Sequence, residues 1–141
     1  MSKNINRVKV LLADDSELIL ERLKEVLYSF EQVEVVASVK NGSEALAALR
    51  LLKPDLAIID IRMPGLSGLE VLNRIRKENK IIKVIIFTLY SSDFYRQLSD
   101  LLGANYFLSK VDDFDKMALI VSEMILKQDK DKIERSIILR N

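Results

Sequence analysis

The sequence predicts an α/β fold, a doubly wound sheet of five parallel strands in the order 2-1-3-4-5. Three observations carry that expectation. Five short apolar runs rich in β-branched or aromatic residues, Val8 to Ala13, Val33 to Val39, Leu56 to Ile59, Val84 to Phe87 and Tyr106 to Leu108, read as buried strands. Amphipathic stretches of helix length separate them, so that helices cover both faces of the sheet. Four of the five runs then close on polar residues of different chemistry: Asp14-Asp15, Asp60, Thr88 and Lys110. The remaining run, Val33 to Val39, is followed only by the turn Lys40-Asn41-Gly42 and suits the sheet edge.

The first helix starts at Ser16, a good N-cap, and runs to about Ser29 with Ile19, Leu20, Leu23, Val26, Leu27 and Phe30 on one face. The second follows Gly42-Ser43 and places Ala45, Leu46, Leu49 and Leu52 on its apolar side. It stops at Lys53-Pro54, because a residue before proline disfavours the helical region. Met63 to Gly68 is a turn-rich loop, after which Leu69, Leu72 and Ile75 begin the third helix. The fourth occupies Ser92 to Leu102 and ends at Gly103, a left-handed C-cap. The fifth begins near Asp113 and turns Phe114, Met117, Val121, Met124 and Ile125 to the core. Residues 1–128 read as one domain, and 129–141 as a charged tail that is either a continuation of the fifth helix or a linker stub.

At 141 residues the chain is long enough for one domain with its own core and too short for two. It contains neither cysteine nor histidine. Disulfides, thiolate catalysis, zinc–thiolate sites, an imidazole base and a phosphohistidine of its own are therefore excluded, and any metal must be a hard, oxygen-liking one. Lys and Arg number 22 against 21 Asp and Glu, and the basic residues are scattered, which argues against direct nucleic-acid binding. The amino terminus, Met1 to Arg7, is polar, and no apolar run approaches the roughly 20 residues of a membrane span. A cytoplasmic protein without membrane association is expected.

Taken singly, each polar strand end has an ordinary explanation. Asp14-Asp15-Ser16-Glu17 is good helix-start chemistry, Asp60 a turn residue, Thr88 a β-branched strand residue and Lys110 a solvated charge. None of these explanations accounts for all of them standing at the same end of consecutive strands. In a right-handed doubly wound sheet those ends converge on one crevice, where the strand order reverses. Three carboxylates meeting there repel one another, and a divalent cation relieves the repulsion. Mg²⁺ suits best, since it takes oxygen ligands, keeps several waters and is held by one or two carboxylates plus a phosphate oxygen. Lys110 adds a positive charge and Thr88 a hydroxyl, the groups a phosphoryl oxygen needs, and one carboxylate is left as a nucleophile toward phosphorus.

These residues, together with the runs Leu11-Leu12-Ala13-Asp14-Asp15-Ser16, Ile59-Asp60-Ile61-Arg62-Met63-Pro64-Gly65-Leu66-Ser67-Gly68-Leu69-Glu70 and Gly103-Ala104-Asn105-Tyr106-Phe107-Leu108-Ser109-Lys110, resemble the response-regulator receiver domains of bacterial two-component signalling. The likeness covers Val8 to about Lys127 and extends to chemotaxis-type regulators and their flavodoxin-like (βα)5 fold. It implies that Asp60 accepts a phosphoryl group from a histidine kinase or phosphotransfer protein. Asp15, Asp60 and the backbone carbonyl of Arg62 would bind Mg²⁺ directly, with Asp14 acting through a water. Thr88 would move to the phosphoryl group and Phe107 would swing inward as an aromatic switch, repacking the fourth helix, fifth strand and fifth helix for a downstream effector or an output domain that this chain lacks. The sequence departs from the family at Val111, where a proline, often cis, is usual, and at Leu89, where a small residue is usual and whose bulk restricts access. Arg62 and Tyr90 occupy the positions that in the family tune loss of the phosphoryl group.

Two surfaces suggest partners. Leu18, opposite the core stripe of the first helix among Glu21, Arg22 and Glu25, is a kinase-docking candidate on the strength of the resemblance. Leu119, Leu126 and Ile133 recur every seven residues on the outer face of the fifth helix, with Ile137 joining if the helix continues. That row is either a homodimer seam or part of a frayed tail. Among rival functions, an aspartyl phosphatase of the haloacid dehalogenase type wants a second Asp two residues after the first, where Arg62 stands, and a flavodoxin-like cofactor binder would be repelled by Asp14-Asp15. A docking domain that is never phosphorylated makes no use of the five polar residues. A signalling protein that assists its own phosphorylation, rather than a conventional enzyme, is the expectation.

Overall fold

The computed structural model describes residues 7–140. Five strands, β1 (Val8–Ala13), β2 (Val33–Val39), β3 (Leu56–Ile59), β4 (Lys83–Thr88) and β5 (Tyr106–Ser109), alternate with helices α1 (Glu17–Tyr28), α2 (Gly42–Leu52), α3 (Gly68–Glu78), α4 (Asp93–Leu101) and α5 (Phe114–Arg140). The strands form one parallel sheet in the order β2-β1-β3-β4-β5, as the sequence predicts. The order reverses between β1 and β3, and β1 and β3 pair in register from Val10–Leu56 to Ala13–Ile59.

Side chains alternate across the sheet with the two-residue period of a strand. Val8, Val10 and Leu12 pack with Leu20, Leu23 and Leu27 of α1 and with Met117, Ile120, Val121 and Ile125 of α5. Leu11 and Ala13 point the other way, into a layer shared with Ala45, Leu46 and Leu49 of α2 and Val71, Leu72 and Ile75 of α3. α4 joins this second layer only partly, through Tyr95, Leu98 and its C-cap Leu102, and Ser99 is its single fully buried residue. Leu52 departs from the expected apolar face of α2 and is exposed, at the last residue of the helix, where the chain turns through Lys53 toward β3.

Four helices begin on a side-chain cap. Ser16, Asn41, Ser67 and Ser92 each accept a hydrogen bond from the backbone N–H three residues on. Gly103 follows α4 with φ +103°, the left-handed geometry expected there. Lys53 adopts the same region at φ 46° and closes α2 by donating its N–H to Leu49 O. The charged tail continues α5 rather than leaving it. Among the described residues no helix is long and apolar enough to cross a membrane.

Candidate functional site

The backbone ladder runs on past the strands and carries the polar residues with it. Asp14 N donates to Val39 O at 3.0 Å, Asp60 N to Ala13 O at 2.9 Å and Lys110 N to Thr88 O at 3.0 Å. The side chains at these ends therefore inherit the register of the sheet. Asp14, Asp15 and Asp60 each offer a carboxylate oxygen, and those atoms lie within 4.8 Å of one another. Asp14 and Asp60 are buried and Asp15 is exposed.

Lys110 reaches into this group from the fifth strand end. Its Nζ is 2.6 Å from Asp14 Oδ2 and 2.9 Å from Asp60 Oδ2. Burial on its own would lower the Lys110 pKa, but the bonds to Asp14 and Asp60 and their charges outweigh it and hold the ammonium above its ordinary value. Burial raises Asp14 above the usual carboxylate range; the bonds from Lys110 and from Ser16 N–H oppose that shift, and the charge of Asp60 adds to it. Both Asp14 oxygens are thus engaged, Oδ1 by Ser16 N at 2.9 Å and Oδ2 by Lys110. Asp60 differs, because its Oδ1 is buried without any hydrogen-bond partner.

A buried carboxylate oxygen left without a partner is costly and is normally satisfied by a group that completes the site. The orphaned Oδ1, a second buried carboxylate and an exposed third make an all-oxygen donor set, which fits Mg²⁺ and does not suit softer metals.

Two short devices hold the surrounding loops. Ser109 Oγ accepts from Val111 N at 3.1 Å and Asp112 N at 3.4 Å, while Asp113 Oδ2 accepts from Ser109 N at 2.8 Å, and together they fix the turn that presents Lys110. No cis peptide bond occurs among the described residues, so Val111 follows Lys110 through a trans bond. On the other side, Gly68 starts α3 directly against the acidic residue: a Cβ there would lie 2.0 Å from the Asp60 carbonyl oxygen.

Thr88 is fully buried, and its Oγ1 accepts from Tyr90 N at 3.1 Å. Tyr90 in turn lies under the guanidinium of Arg62, 4.3 Å from ring centre, and stands edge-on to Tyr95 of α4 at 6.5 Å. Phe107 is not part of the acidic group. It is half-buried in the second layer, with the Arg96 guanidinium 4.7 Å above its ring. Leu89, Val111 and Leu18 are exposed, at 61%, 74% and 70%. Leu119, Leu126 and Ile133 are exposed along α5. Sequence reasoning used Asp113 only to start the fifth helix and missed its bond from Ser109, and it named Arg62 and Tyr90 together without showing that they touch. Asp113 had a legible signal, as an acidic residue just before a helix.

The chain matches the response regulator receiver domain model over residues 10–122. It is 34% identical over 111 residues to the transcriptional regulatory protein YvfU of Bacillus subtilis, covering 79% of this chain and 56% of that protein. It is 39% identical over 106 residues to a protein-glutamate methylesterase/protein-glutamine glutaminase of Syntrophomonas wolfei, covering 74% of this chain and 30% of that one. The chain thus spans little more than half, or less, of the curated relatives it matches. Among solved structures, the response regulator domain of CheB from Thermotoga maritima superimposes with a TM-score of 0.75 at 30% identity, over 86% of this chain and 95% of that one. The chain belongs to the response regulator receiver domains, the signalling domains of two-component systems.

Proposed function

We propose that the chain is a phospho-accepting switch whose acceptor is Asp60, supplied by a histidine kinase or phosphotransfer protein and read by a downstream effector or output domain. The observation that carries this reading is the orphaned, buried Asp60 Oδ1 beside an oxygen bonded to Lys110. Transfer forms a bond between an Asp60 carboxylate oxygen and phosphorus as the donor's phosphorus–nitrogen bond breaks. Mg²⁺, held by Asp15, Asp60 and the Arg62 carbonyl with Asp14 acting through a water, would supply positive charge against the transferring phosphoryl oxygens.

The chain's own groups do the rest. Lys110 already bonds Asp60 and transfers those bonds to the phosphoryl oxygens as its charge follows the negative charge. Thr88 exchanges its bond with Tyr90 N for one to the phosphoryl group, which frees the loop before α4. Phe107 then shifts inward and α4, β5 and α5 repack, a change of population between two packings. Leu18, exposed beside the site, is the contact for the kinase, and the outward row on α5 is a pairing surface.

Intact-mass measurement after incubation with acetyl phosphate tests the reading. A single phosphoryl adduct is expected with Mg²⁺, absent with chelator and absent in Asp60→Asn. If no adduct forms, beryllofluoride replaces the donor; failure of that mimic to bind as well would favour a domain that docks without phosphorylation.

A further inference from the structure

From Asp129 to Leu139 every residue of α5 is exposed. The helix nevertheless carries one outward apolar row: Leu119, Leu126, Ile133 and Ile137 are 60%, 68%, 60% and 54% exposed. At 3.6 residues per turn this row falls on the side opposite Met117, Ile120, Val121 and Ile125, which fill the core. A helical segment this short is marginal in water when it packs against nothing, so the row needs a cover.

Charge decides what covers it. Lys116, Glu123 and Lys130 stand seven residues apart, each three residues before an apolar member of the row, and Ile137 continues their series. They occupy the second position of the same heptad seam, with signs that alternate along the helix. Lys116 pairs with Asp113 at 3.1 Å, while Glu123 and Lys130 have no ion-pair partner among the described residues. Two copies of the helix running parallel and in register would place Glu123 against Glu123 and Lys130 against Lys130. Two copies running antiparallel and crossing at Leu126 place Glu123 of each against Lys130 of the other, and bring Ile133 and Ile137 alongside the other copy's Leu119. The contact then extends over roughly 32 Å of helix.

We propose that the outer face of α5 binds a second copy of this chain in antiparallel orientation, with Leu126 at the crossing and reciprocal Glu123–Lys130 pairs on either side. This deepens the pairing role read for α5 above and depends on neither metal nor phosphoryl transfer.

Sedimentation equilibrium of the full chain, in chelator and without a phosphoryl donor, reads the dimer directly. The wild type is expected to dimerise with rising concentration. Glu123→Lys and Lys130→Glu should each weaken the dimer about tenfold, and the two exchanges combined should restore it to within about threefold. All the exchanged residues are exposed, so folding is unaffected. Because the chain has no cysteine, mixing Glu123→Cys with Lys130→Cys gives a second reading. A disulfide between the two variants supports the antiparallel seam; self-linked dimers of each variant show parallel helices and overturn it. A monomeric wild type, or charge exchanges without effect, also overturns it. None of these outcomes touches Asp60, so the phosphoryl reading stands or falls separately.

Discussion

Lys110 Nζ donates to Asp60 Oδ2 at 2.9 Å across 50 residues of chain, and the same ammonium lies 2.6 Å from Asp14 Oδ2. It is the cation that lets two buried carboxylates share one crevice. Removing one partner of a buried charge cluster leaves the others uncompensated, so Lys110→Met should lower stability by about 3 kcal/mol in chelator. Adding Mg²⁺ should recover part of that loss. Urea midpoints with and without the cation check it, and an unchanged midpoint in chelator would show that the carboxylates do not need the ammonium.

Gly68 measures how closely α3 is set against Asp60. An added methyl group would meet the Asp60 carbonyl oxygen at 2.0 Å, and backbone cannot swing aside as a side chain can. Gly68→Ala should cost about 3 kcal/mol and lower the affinity for Mg²⁺, because the Asp60 backbone must shift to admit the methyl group. Calorimetry of cation binding beside thermal unfolding reads both effects; wild-type values for the pair would refute the clamp.

Ser99 runs the opposite way. Its hydroxyl is fully buried in α4 and has no hydrogen-bond partner. Ser99→Ala removes a desolvated polar group and should raise stability by about 1 kcal/mol in urea unfolding. A loss of stability instead would reveal a partner for the hydroxyl.

Asp113 gives the domain an acid-sensitive joint. Its bond from Ser109 N–H outweighs the opposing effect of burial and, helped by Lys116 and the charge of Arg96, holds its carboxyl below the ordinary 3.8. A carboxylate lowered in the folded state adds stability that is complete above the unfolded value and is lost as pH falls through the folded one. Asp113→Asn should therefore lose less stability than the wild type on acidification below about pH 4. Urea midpoints measured downward from neutral pH check this, and equal acid slopes for the two proteins would remove Asp113 as a cause.

The sheet order and the four polar strand ends were legible because an apolar run of strand length that stops on a polar residue is a local signal. Its consequence, convergence on one crevice, follows from topology alone. The roles of Ser109 and Arg76 were not legible. Arg76 bonds Gly103 O at 2.9 Å and Asn105 Oδ1 at 2.9 Å, tying the end of α3 to the turn before β5. Nothing near Arg76 in the sequence marks acceptors 27 and 29 residues away. The stacking of Arg62 on Tyr90 is likewise a meeting of two loops, and Ser99 reads in the sequence as an ordinary polar helix residue. Leu52 was misplaced because helical periodicity says which side a residue faces, and not whether the neighbouring layer extends far enough to cover it.

The sheet is only one residue thick, yet it separates two apolar layers that share almost no side chains: Val10 and Leu12 look to α1 and α5, Leu11 and Ala13 to α2 and α3. Each layer can therefore drift in sequence without compensation from the other. A lineage could remodel the loosely seated α4 side while the α1 and α5 side, which carries the proposed kinase contact and the proposed pairing surface, keeps its inherited packing. The fold thus lets recognition at its two faces diversify at different rates.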